Sequence, residues 1–358
     1  DVINLISKDP GLPDGVVYPG RAWGDGFPHF SQGPHLHEYL AEMRREVFDG
    51  RAGTMTVGEC PGVRRDNVLL FTDPARRELD MVFQFDHVDL GLEAGKFHPR
   101  PLRPGELADC LSAWQEAQGE VGWNSLYLDN HDQPRAVSRF GDESHRYESA
   151  TALATALHML RGTPYVYQGG GSSGMTNGAF HGLDDFRDVE ALRYYREAVA
   201  AGESPEAVLV GMRAIGRDNA RTPVQWDASE HAGFTEGDPW IGVTPNYREI
   251  NAASQVGDPS SVYAYYRALA DIRHGLPVIA SGRFERIATP SPAVFAYRRT
   301  LGEAVATVLV NLSSQPASLG EVTRGVSGEL ILSNRDLSEA EREAPGVLEP
   351  WEARVYLA

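Results

Sequence analysis

Three polar side chains at the end of an apolar run are the first residues whose types and spacing could do chemistry. The run at 125–128 is followed by Asn130, His131 and Asp132, and Pro134 then ends it. Short apolar runs bounded by turn residues are typical of parallel strands covered on both faces. Residues at the carboxyl end of such a strand face the ligand in α/β barrels. The pattern predicts a strand that ends in a site, although a purely structural turn would have the same pattern.

Two further carboxylates, Asp1 and Glu59, also stand at the ends of β-rich runs. Hydrolysis of a glycosidic bond needs one carboxylate as nucleophile and one carboxylic acid that protonates the leaving oxygen. A barrel could bring Asp1, Glu59 and Asp132 together although they are far apart in the sequence. Each acid taken alone could equally be a solvated or capping carboxylate, so the local patterns leave both interpretations open.

The elements that must position these residues alternate along the chain. Strand patterns occur at 54–59, 81–86, 125–128 and 163–168, and helix patterns at 35–49, 104–119, 144–160, 184–201, 205–217 and 259–274. This alternation predicts βα units and a parallel sheet, that is, an α/β fold. From Gly282 onward, short alternating runs separated by turn residues predict an all-β domain. We therefore expect two domains, 1–280 and 281–358.

Composition limits the partners of the chain. Its 33 basic and 50 acidic residues give a formal charge of −17, which disfavours nucleic acid and anionic membranes as partners. No apolar run approaches the roughly 18 residues of a membrane span, so no membrane partner is expected. Cys60 and Cys110 are too few for a disulfide framework and lack metal-ligand spacing, so no metal site is expected. Residues 1–6 do not have the pattern of a secretory signal, and we expect a cytoplasmic location.

Four stretches resemble, in order and spacing, glycoside hydrolase family 13, the α-amylase family, and within it the oligo-1,6-glucosidase and α-glucosidase branch. They are DVINLISK at 1–8, TVGE at 56–59, NHDQPR at 130–135 and DNARTPVQW at 218–226. The resemblance covers essentially the whole chain. It implies the C-terminal half of a (β/α)8 TIM barrel, from the end of strand 4 to helix 8, followed by an all-β sandwich.

The resemblance also implies catalytic roles for three residues. Asp1 matches the family nucleophile and Glu59 the general acid/base. Asp132 matches the third carboxylate, which holds the sugar hydroxyls while the ring distorts. In a retaining enzyme the two working carboxyl groups lie about 5 to 5.5 Å apart, and we expect this of Asp1 and Glu59.

Four more residues are expected to bind the substrate. His131 matches a histidine that hydrogen-bonds the same sugar ring, and Asn130 lies beside it. Arg221 matches an arginine that contacts the terminal glucose at the closed end of the pocket; a structural ion pair is the alternative. Val2 stands where this branch often carries Val in α-1,6-acting enzymes, which favours isomalto-oligosaccharides.

The function that the resemblance implies is that of a retaining exo-α-glucosidase, which hydrolyses terminal α-1,6- or α-1,4-linked glucose from short oligosaccharides. One alternative is a sucrose isomerase or transglucosylase of the same family. Another is a non-catalytic fragment or scaffold with the same fold. The chemistry requires no cofactor, and a structural calcium of some relatives belongs to the amino-terminal half of the barrel.

Two departures from the family pattern lead to further expectations. The motifs of the family's first half are absent, so we expect an N-terminally truncated part of a longer or divided protein. After Gln168 the chain reads GGGSSGMTN at 169–177, where relatives have two acidic residues and an apolar one before GMTN, and it is one residue longer. The Gly/Ser composition predicts a flexible linker.

Overall fold

The structure is a computed structural model that describes residues 2–18, 23–343 and 346–358. The chain divides by its internal contacts into two compact units. The first comprises Asp1–His87, Cys110–Leu126 and Arg161–Thr163, and the second comprises Val88–Asp109, Tyr127–Leu160 and Pro164–Ala358. The predicted domain boundary at 280/281 is a different division, and it stays a prediction.

The helices and strands occur in most of the regions that the sequence predicts. The α-helices are α1 (Phe27–Phe30), α2 (Leu36–Met43), α3 (Leu69–Thr72), α4 (Glu106–Gln118), α5 (Ala136–Phe140), α6 (Arg146–His158), α7 (Gly170–Ser173), α8 (Val189–Ala200), α9 (Pro205–Ile215), α10 (Asp218–Arg221), α11 (Ala252–Gln255), α12 (Val262–Gly275), α13 (Pro277–Ser281) and α14 (Glu339–Glu343). The strands are β1 (Val57–Glu59), β2 (Met81–Phe83), β3 (Ser125–Leu126), β4 (Thr163–Pro164), β5 (Arg283–Ile287), β6 (Val294–Leu301), β7 (Ala304–Asn311), β8 (Ala317–Ser318), β9 (Glu329–Ser333), β10 (Val347–Leu348) and β11 (Ala353–Leu357). None of the helices in the described ranges is long and apolar enough to cross a membrane.

The first unit contains the predicted parallel pairing. Strand β1 pairs in parallel with β2, and Val82 of β2 forms a parallel bridge with Asn124, next to β3. On the other side of β1, the amide of Ile3 donates to the carbonyl of Glu59 at 3.0 Å. The amide of Thr163 donates to the carbonyl of Asn124 at 2.8 Å. The hydrogen-bonded segments of this unit therefore lie side by side in chain order: residue 3, β1, β2, and the segments at 124 and 163.

The strands are shorter than predicted, and at the end of β2 a side chain takes over the backbone hydrogen bonding. After β2, the side-chain oxygen of Gln84 accepts the amide of Asp86 at 2.7 Å and turns the chain out of the sheet. Asp86 in turn accepts the indole N–H of Trp114 at 2.9 Å. Trp114 lies in an apolar cluster with Leu36 and Phe71, so the loop that follows β2 is attached to the core of its unit.

Helix α6 is the centre of the second unit. Ten consecutive residues of this helix, 149–158, are buried, so no face of it is polar, as its Ala, Thr and Leu content allows. Its two buried threonines donate their hydroxyls to helix carbonyls, Thr151 to Tyr147 at 2.7 Å and Thr155 to Thr151 at 2.8 Å. The polar atoms of a helix buried on every side are thereby satisfied.

The C-terminal region is all-β, as predicted. Five antiparallel strands follow the order β5-β6-β7-β11-β9, and β8 pairs with β10 in a second, two-stranded sheet. An apolar cluster joins residues of both sheets, among them Val294, Leu309 and Leu348. Alternation along β6 sends Phe295 and Tyr297 to the opposite face, where their rings lie 4.7 Å apart. One face of the five-stranded sheet therefore packs in the apolar cluster, and the other face carries the ring pair of Phe295 and Tyr297.

Two buried polar side chains connect this sheet to α6. The hydroxyl of Tyr297 donates to the carbonyl of Ala156 at 3.0 Å. The fully buried guanidinium of Arg299 donates to the carbonyls of Met159 and Gly282, both at 2.6 Å. A cation at the carboxyl end of a helix satisfies carbonyls that have no partner within the helix. These bonds fix the sheet against the end of α6.

The expectation of a flexible Gly/Ser linker after Gln168 is wrong. Residues of α7 form one helical turn, which Gly169 (φ +85°) and Gly174 (φ +62°) bound in the left-handed conformation. A Cβ added at Gly171 would lie 3.1 Å from the ring of Tyr266. The glycines here permit unusual backbone angles and close packing, whereas the composition suggested mobility.

We predict that Gly211→Ala in α9 destabilises the protein although alanine favours helices. A Cβ at this position would lie 1.8 Å from the carbonyl oxygen of Phe97, a backbone atom that cannot move cheaply. Overpacking of this kind costs about 1–3 kcal/mol, more than the ~0.5–1 kcal/mol that the helix gains. Urea denaturation measures the difference. Gly275→Ala at the end of α12, where a Cβ meets nothing within 4 Å, should be neutral or stabilising; equal effects of the two changes would contradict the prediction.

Candidate active site

Glu59 occupies the carboxyl end of β1 in the first unit. Its side chain is half-buried, and its backbone is fixed on one side by the bond from Ile3. On the other side, the amide of Cys60 donates to the carbonyl of Phe83 at 3.1 Å. Val2 is partly buried in the same unit, whereas Asp1, the predicted nucleophile, lies outside the described residues. The acid/base candidate thus stands where strand pairing ends, as the sequence predicts.

Cys60, next to Glu59, is a packing residue. It is fully buried in the apolar cluster around Leu36 and Trp114. Burial, together with the neighbouring charge of Glu59, raises the pKa of the Cys60 thiol well above its usual range. A thiol that stays protonated is a poor nucleophile, so Cys60 is not a candidate nucleophile.

Asp132 lies between two arginines in the second unit. Its Oδ1 atom is 2.7 Å from Nη2 of Arg221, and its Oδ2 atom is 3.7 Å from Nη1 of Arg217. The first distance is a charge-assisted hydrogen bond, and the second is too long for one. Sequence reasoning missed Arg217, although it directly precedes the motif at 218–226 and so stands one helical turn before Arg221.

The turn that carries Asp132 is stabilised by a hydrogen bond to a side chain of the turn itself. The amide of Asp132 donates to the side-chain oxygen of Asn130 at 2.8 Å, a bond that does not involve the NH₂ group of Asn130. His131 projects outward with 63% of its side chain exposed, and its Nε2 atom is 3.9 Å from Oδ1 of Asp132. The turn therefore brings His131 and Asp132 side by side, as the sequence predicts, and gives Asn130 a structural task as well.

Arg221 takes part in a structural ion pair as well as facing the candidate site. Its Nη1 atom lies 3.9 Å from Oδ1 of Asp188, whose side chain is only 2% exposed. The other oxygen of Asp188 accepts the amide of Ala191 at 3.0 Å and caps α8. The guanidinium of Arg221 thus faces a carboxylate on either side, Asp188 and Asp132.

Arg135 joins the segments that carry these side chains. It is completely buried and donates to the backbone carbonyls of Gln168 at 2.5 Å, Asn219 at 3.1 Å, Ala220 at 3.2 Å and Thr222 at 3.4 Å. Three of these acceptors lie in the segment that includes Arg221, and Arg135 itself is three residues after Asp132. The planar, forked guanidinium suits several carbonyls at once. It therefore fixes the spacing of the two motifs.

A small cavity is lined in part by Asp129 and Ala136, the residues that flank the 130–135 motif. Its volume is about 20 Å³, room for about one water molecule, and its lining includes Asp129, His158 and Tyr266. One oxygen of Asp129 accepts the amide of Ala136 at 3.0 Å. Burial raises the pKa of the Asp129 carboxyl against the opposing effect of Arg135. Burial also lowers the pKa of His158 to about 4, so this imidazole is neutral at physiological pH.

The arrangement around Asp132 suits a hydroxyl ligand. The Oδ2 atom of Asp132 can accept a hydrogen bond, and Nη1 of Arg217 can donate one, while a hydroxyl both donates and accepts. A single sugar hydroxyl could therefore bond to both groups. The described residues contain no group of three His, Cys, Asp or Glu side chains that could hold a metal ion.

We predict that Arg135→Lys destabilises the protein by about 3 kcal/mol, because an ammonium group cannot reach the four carbonyls that the guanidinium bonds. The free energy of unfolding measures the effect. Hydrogen exchange at residues 219–222 should accelerate at the same time, because this segment loses its anchor. Arg193→Lys on the exposed face of α8 is the matched control, and similar stabilities of the two variants would contradict the prediction.

The buried carboxyl of Asp129 should make stability depend on pH. Because its pKa is raised, the folded protein binds this proton more tightly than the unfolded chain, and the resulting stability is lost as pH rises through the raised pKa. Asp129→Asn cannot ionise. Its stability relative to wild type should therefore increase as the pH rises above about 4, the usual pKa of an aspartate carboxyl. Thermal unfolding across this range tests the trend, with the exposed Asp238→Asn as control; a flat difference for Asp129→Asn would refute it.

Known proteins resemble the chain over its whole length. The oligo-1,6-glucosidase of Parageobacillus thermoglucosidasius is 48% identical over 361 residues, which cover 99% of this chain and 64% of that enzyme. The structure of the trehalose-6-phosphate hydrolase of Bacillus licheniformis matches with a TM-score of 0.89 at 39% identity, and that of the isomaltulose synthase of Erwinia rhapontici with 0.91 at 36%. Each match covers 100% of this chain and 64% of the other. The chain thus spans less than two thirds of the length of these relatives.

These likenesses confirm the predicted fold class, the C-terminal half of a (β/α)8 barrel followed by an antiparallel β domain. The family model for the alpha-amylase catalytic domain matches residues 1–282. The match includes every residue that the sequence predicts for the site, from Asp1 to Arg221. The chain belongs to the α-amylase family, glycoside hydrolase family 13.

Proposed function

We propose that the protein to which this chain belongs is a retaining exo-α-glucosidase that releases terminal glucose from short α-1,6- or α-1,4-linked oligosaccharides. The observation that carries the proposal is the Asp132 carboxylate, bonded by Arg221 and faced by Arg217, in a chain of this family. Carboxylate and guanidinium groups together match the donors and acceptors of sugar hydroxyls. The 48% sequence identity with an oligo-1,6-glucosidase supports the same function.

The reaction assigns complementary tasks to two carboxyl groups. The Asp1 carboxylate attacks the anomeric carbon while the bond to the leaving oxygen breaks, and Glu59 transfers its proton to that oxygen. Glu59, now ionised, then takes a proton from water, the water oxygen bonds to the anomeric carbon, and the ester to Asp1 breaks. Glucose leaves with its original configuration. The position of Glu59 at a strand end and the motif match of Asp1 support these roles.

The remaining candidates hold the terminal glucose. Asp132 accepts from its hydroxyls, His131 and Arg221 hydrogen-bond the same unit, and we add Arg217 because it faces the free oxygen of Asp132. The Asn130 amide is a further donor. These contacts tighten as the ring distorts toward the oxocarbenium-like transition state.

Substrate preference follows from hydrogen-bonding groups and from one side chain. We propose neutral α-glucosides as substrates, because the hydrogen-bonding groups around Asp132 match sugar hydroxyls. Val2 favours the α-1,6 linkage, and isomaltose is the first substrate to try. We propose that no cofactor takes part, since the carboxyl groups supply both the nucleophile and the proton.

A second candidate is a glucosyl-transferring isomerase. The isomaltulose synthase, solved in complex with sucrose, matches at a TM-score of 0.91. The first step would be the same, and the glucosyl group would pass to a sugar hydroxyl instead of water. The segment AVSRFGD at 136–142, which is similar to that of the hydrolases, favours hydrolysis. Chromatography of the products from sucrose separates glucose and fructose from rearranged disaccharides.

We predict that Glu59→Gln reduces glucose release from isomaltose at least about 1,000-fold, because glutamine has no proton to give to the leaving oxygen. The assay uses this chain alone and the same chain preceded by the amino-terminal segment of the P. thermoglucosidasius enzyme. Glu93→Gln, an exposed carboxylate in a salt bridge to Arg100, is the matched control and should retain activity. Unchanged rates for Glu59→Gln would exclude it as the acid.

A further inference from the structure

A row of alternating charges leads away from Asp132. Arg217, which faces Asp132, has its Nε atom 3.2 Å from Oε2 of Glu190. The same oxygen of Glu190 is 2.6 Å from Nζ of Lys96. The order is therefore Lys96, Glu190, Arg217 and Asp132, with opposite charges adjacent at each step. The two residues farther from Asp132 have no task in the function proposed above.

Arg217 depends on Glu190 for its orientation. Its Nε atom is buried and makes no hydrogen bond of normal geometry in the described structure, so the 3.2 Å contact with Glu190 is an ion pair with poor alignment. Its Nη1 atom is 3.7 Å from Asp132, again beyond hydrogen-bond range. An arginine without a fixed hydrogen bond keeps much of its rotamer freedom. The ion pairs with Glu190 and Asp132, of which the pair with Glu190 is the shorter, then restrain where the guanidinium points.

Glu190 is itself held in place. It lies in the first turn of α8, where a carboxylate is favoured by the helix dipole. The short bond from Lys96 fixes its carboxylate. Both cations share Oε2, so the position of the Lys96 ammonium decides how that oxygen faces Arg217.

Lys96 projects from a firmly anchored segment. The next residue, Phe97, is buried among α8 and α9, and its ring lies 4.8 Å from that of Tyr194. His98 bonds to Glu203 at 2.9 Å. The absence of a side chain at Gly211 lets the carbonyl of Phe97 approach α9. The backbone that directly follows Lys96 is therefore fixed.

We propose that Glu190 and Lys96 are positioning residues for Arg217 and thereby determine how tightly the terminal glucose is bound. The pair does not touch the sugar; it holds the guanidinium beside the free oxygen of Asp132, where one hydroxyl can bond to both. The proposal rests on the proposed function, because it assigns Arg217 to the sugar. It concerns binding in the ground state and so predicts an effect on KM more than on kcat.

Steady-state kinetics with isomaltose test the proposal. They use the preparation that hydrolyses isomaltose, either the chain alone or the chain with the added amino-terminal segment. Glu190→Gln and Lys96→Met should each raise KM about tenfold with kcat changed less than about threefold, the pattern of lost uniform binding. Lys96→Arg keeps the charge and should restore a KM close to that of wild type. Glu197→Gln, on the same helix and in an exposed salt bridge to Arg193, is the control and should change neither constant.

A double-mutant cycle separates positioning from general structural damage. In an Arg217→Lys background the guanidinium is absent, so Glu190→Gln should raise KM no further. Full additivity of the two changes would overturn the proposal, as would an unchanged KM for Glu190→Gln alone. Melting temperatures of all variants should stay within a few degrees of their parent, and a KM effect that only follows a loss of stability would also overturn it.

The orientation of Arg217 can be measured without any activity. The side-chain ¹H–¹⁵N signal of its Nε group, assigned by its loss in Arg217→Lys, should shift and broaden in Glu190→Gln and Lys96→Met but not in Glu197→Gln. If the protein releases no glucose from isomaltose while this signal responds as expected, the proposed function fails and the positioning contact stands. If the signal does not respond, the proposed positioning is wrong whatever the activity.

Discussion

The buried guanidinium of Arg135 is the interaction on which the rest of the second unit's site depends. Four backbone carbonyls from two distant stretches of chain accept from it, and its own residue belongs to the motif that carries Asp132. Burial lowers the pKa of Arg135, which expresses the cost of keeping the cation out of water. The carbonyl dipoles and the nearby Asp129 offset this cost. Removing Arg135 would leave several buried acceptors without donors, so the loops it joins have few alternative arrangements.

The arrangement of charged side chains around Asp132 depends on the backbone segments that Arg135 holds together. Two arginines approach the carboxylate, and each is faced by a further carboxylate, Asp188 for Arg221 and Glu190 for Arg217. Such alternation keeps like charges apart while leaving one oxygen of Asp132 free to accept from a ligand. Sugar hydroxyls, which both donate and accept, suit this arrangement better than a single ion does.

Local patterns predicted much of this structure. The carboxyl end of β1, the start of β2, the buried run before Asn130 and the all-β C-terminal region follow from apolar periodicity and turn residues, which act over a few residues. The motif at 130–135 follows a short strand, β3, as predicted, and its role in a site stays a prediction. The Gly/Ser stretch was misinterpreted, because composition cannot distinguish glycines that confer freedom from glycines that permit close packing against a ring such as that of Tyr266.

The sequence by itself determined the family, the order of the motifs and the identity of Glu59, His131, Asp132 and Arg221 as candidates, because these depend on residue types at fixed spacing. Only the tertiary structure decided that Arg217 also faces Asp132 and that Lys96 reaches Glu190. The physical reason is distance along the chain. Ion pairs between residues 85 or 94 positions apart leave no local periodicity, and they exist only after packing has fixed the backbones that carry them.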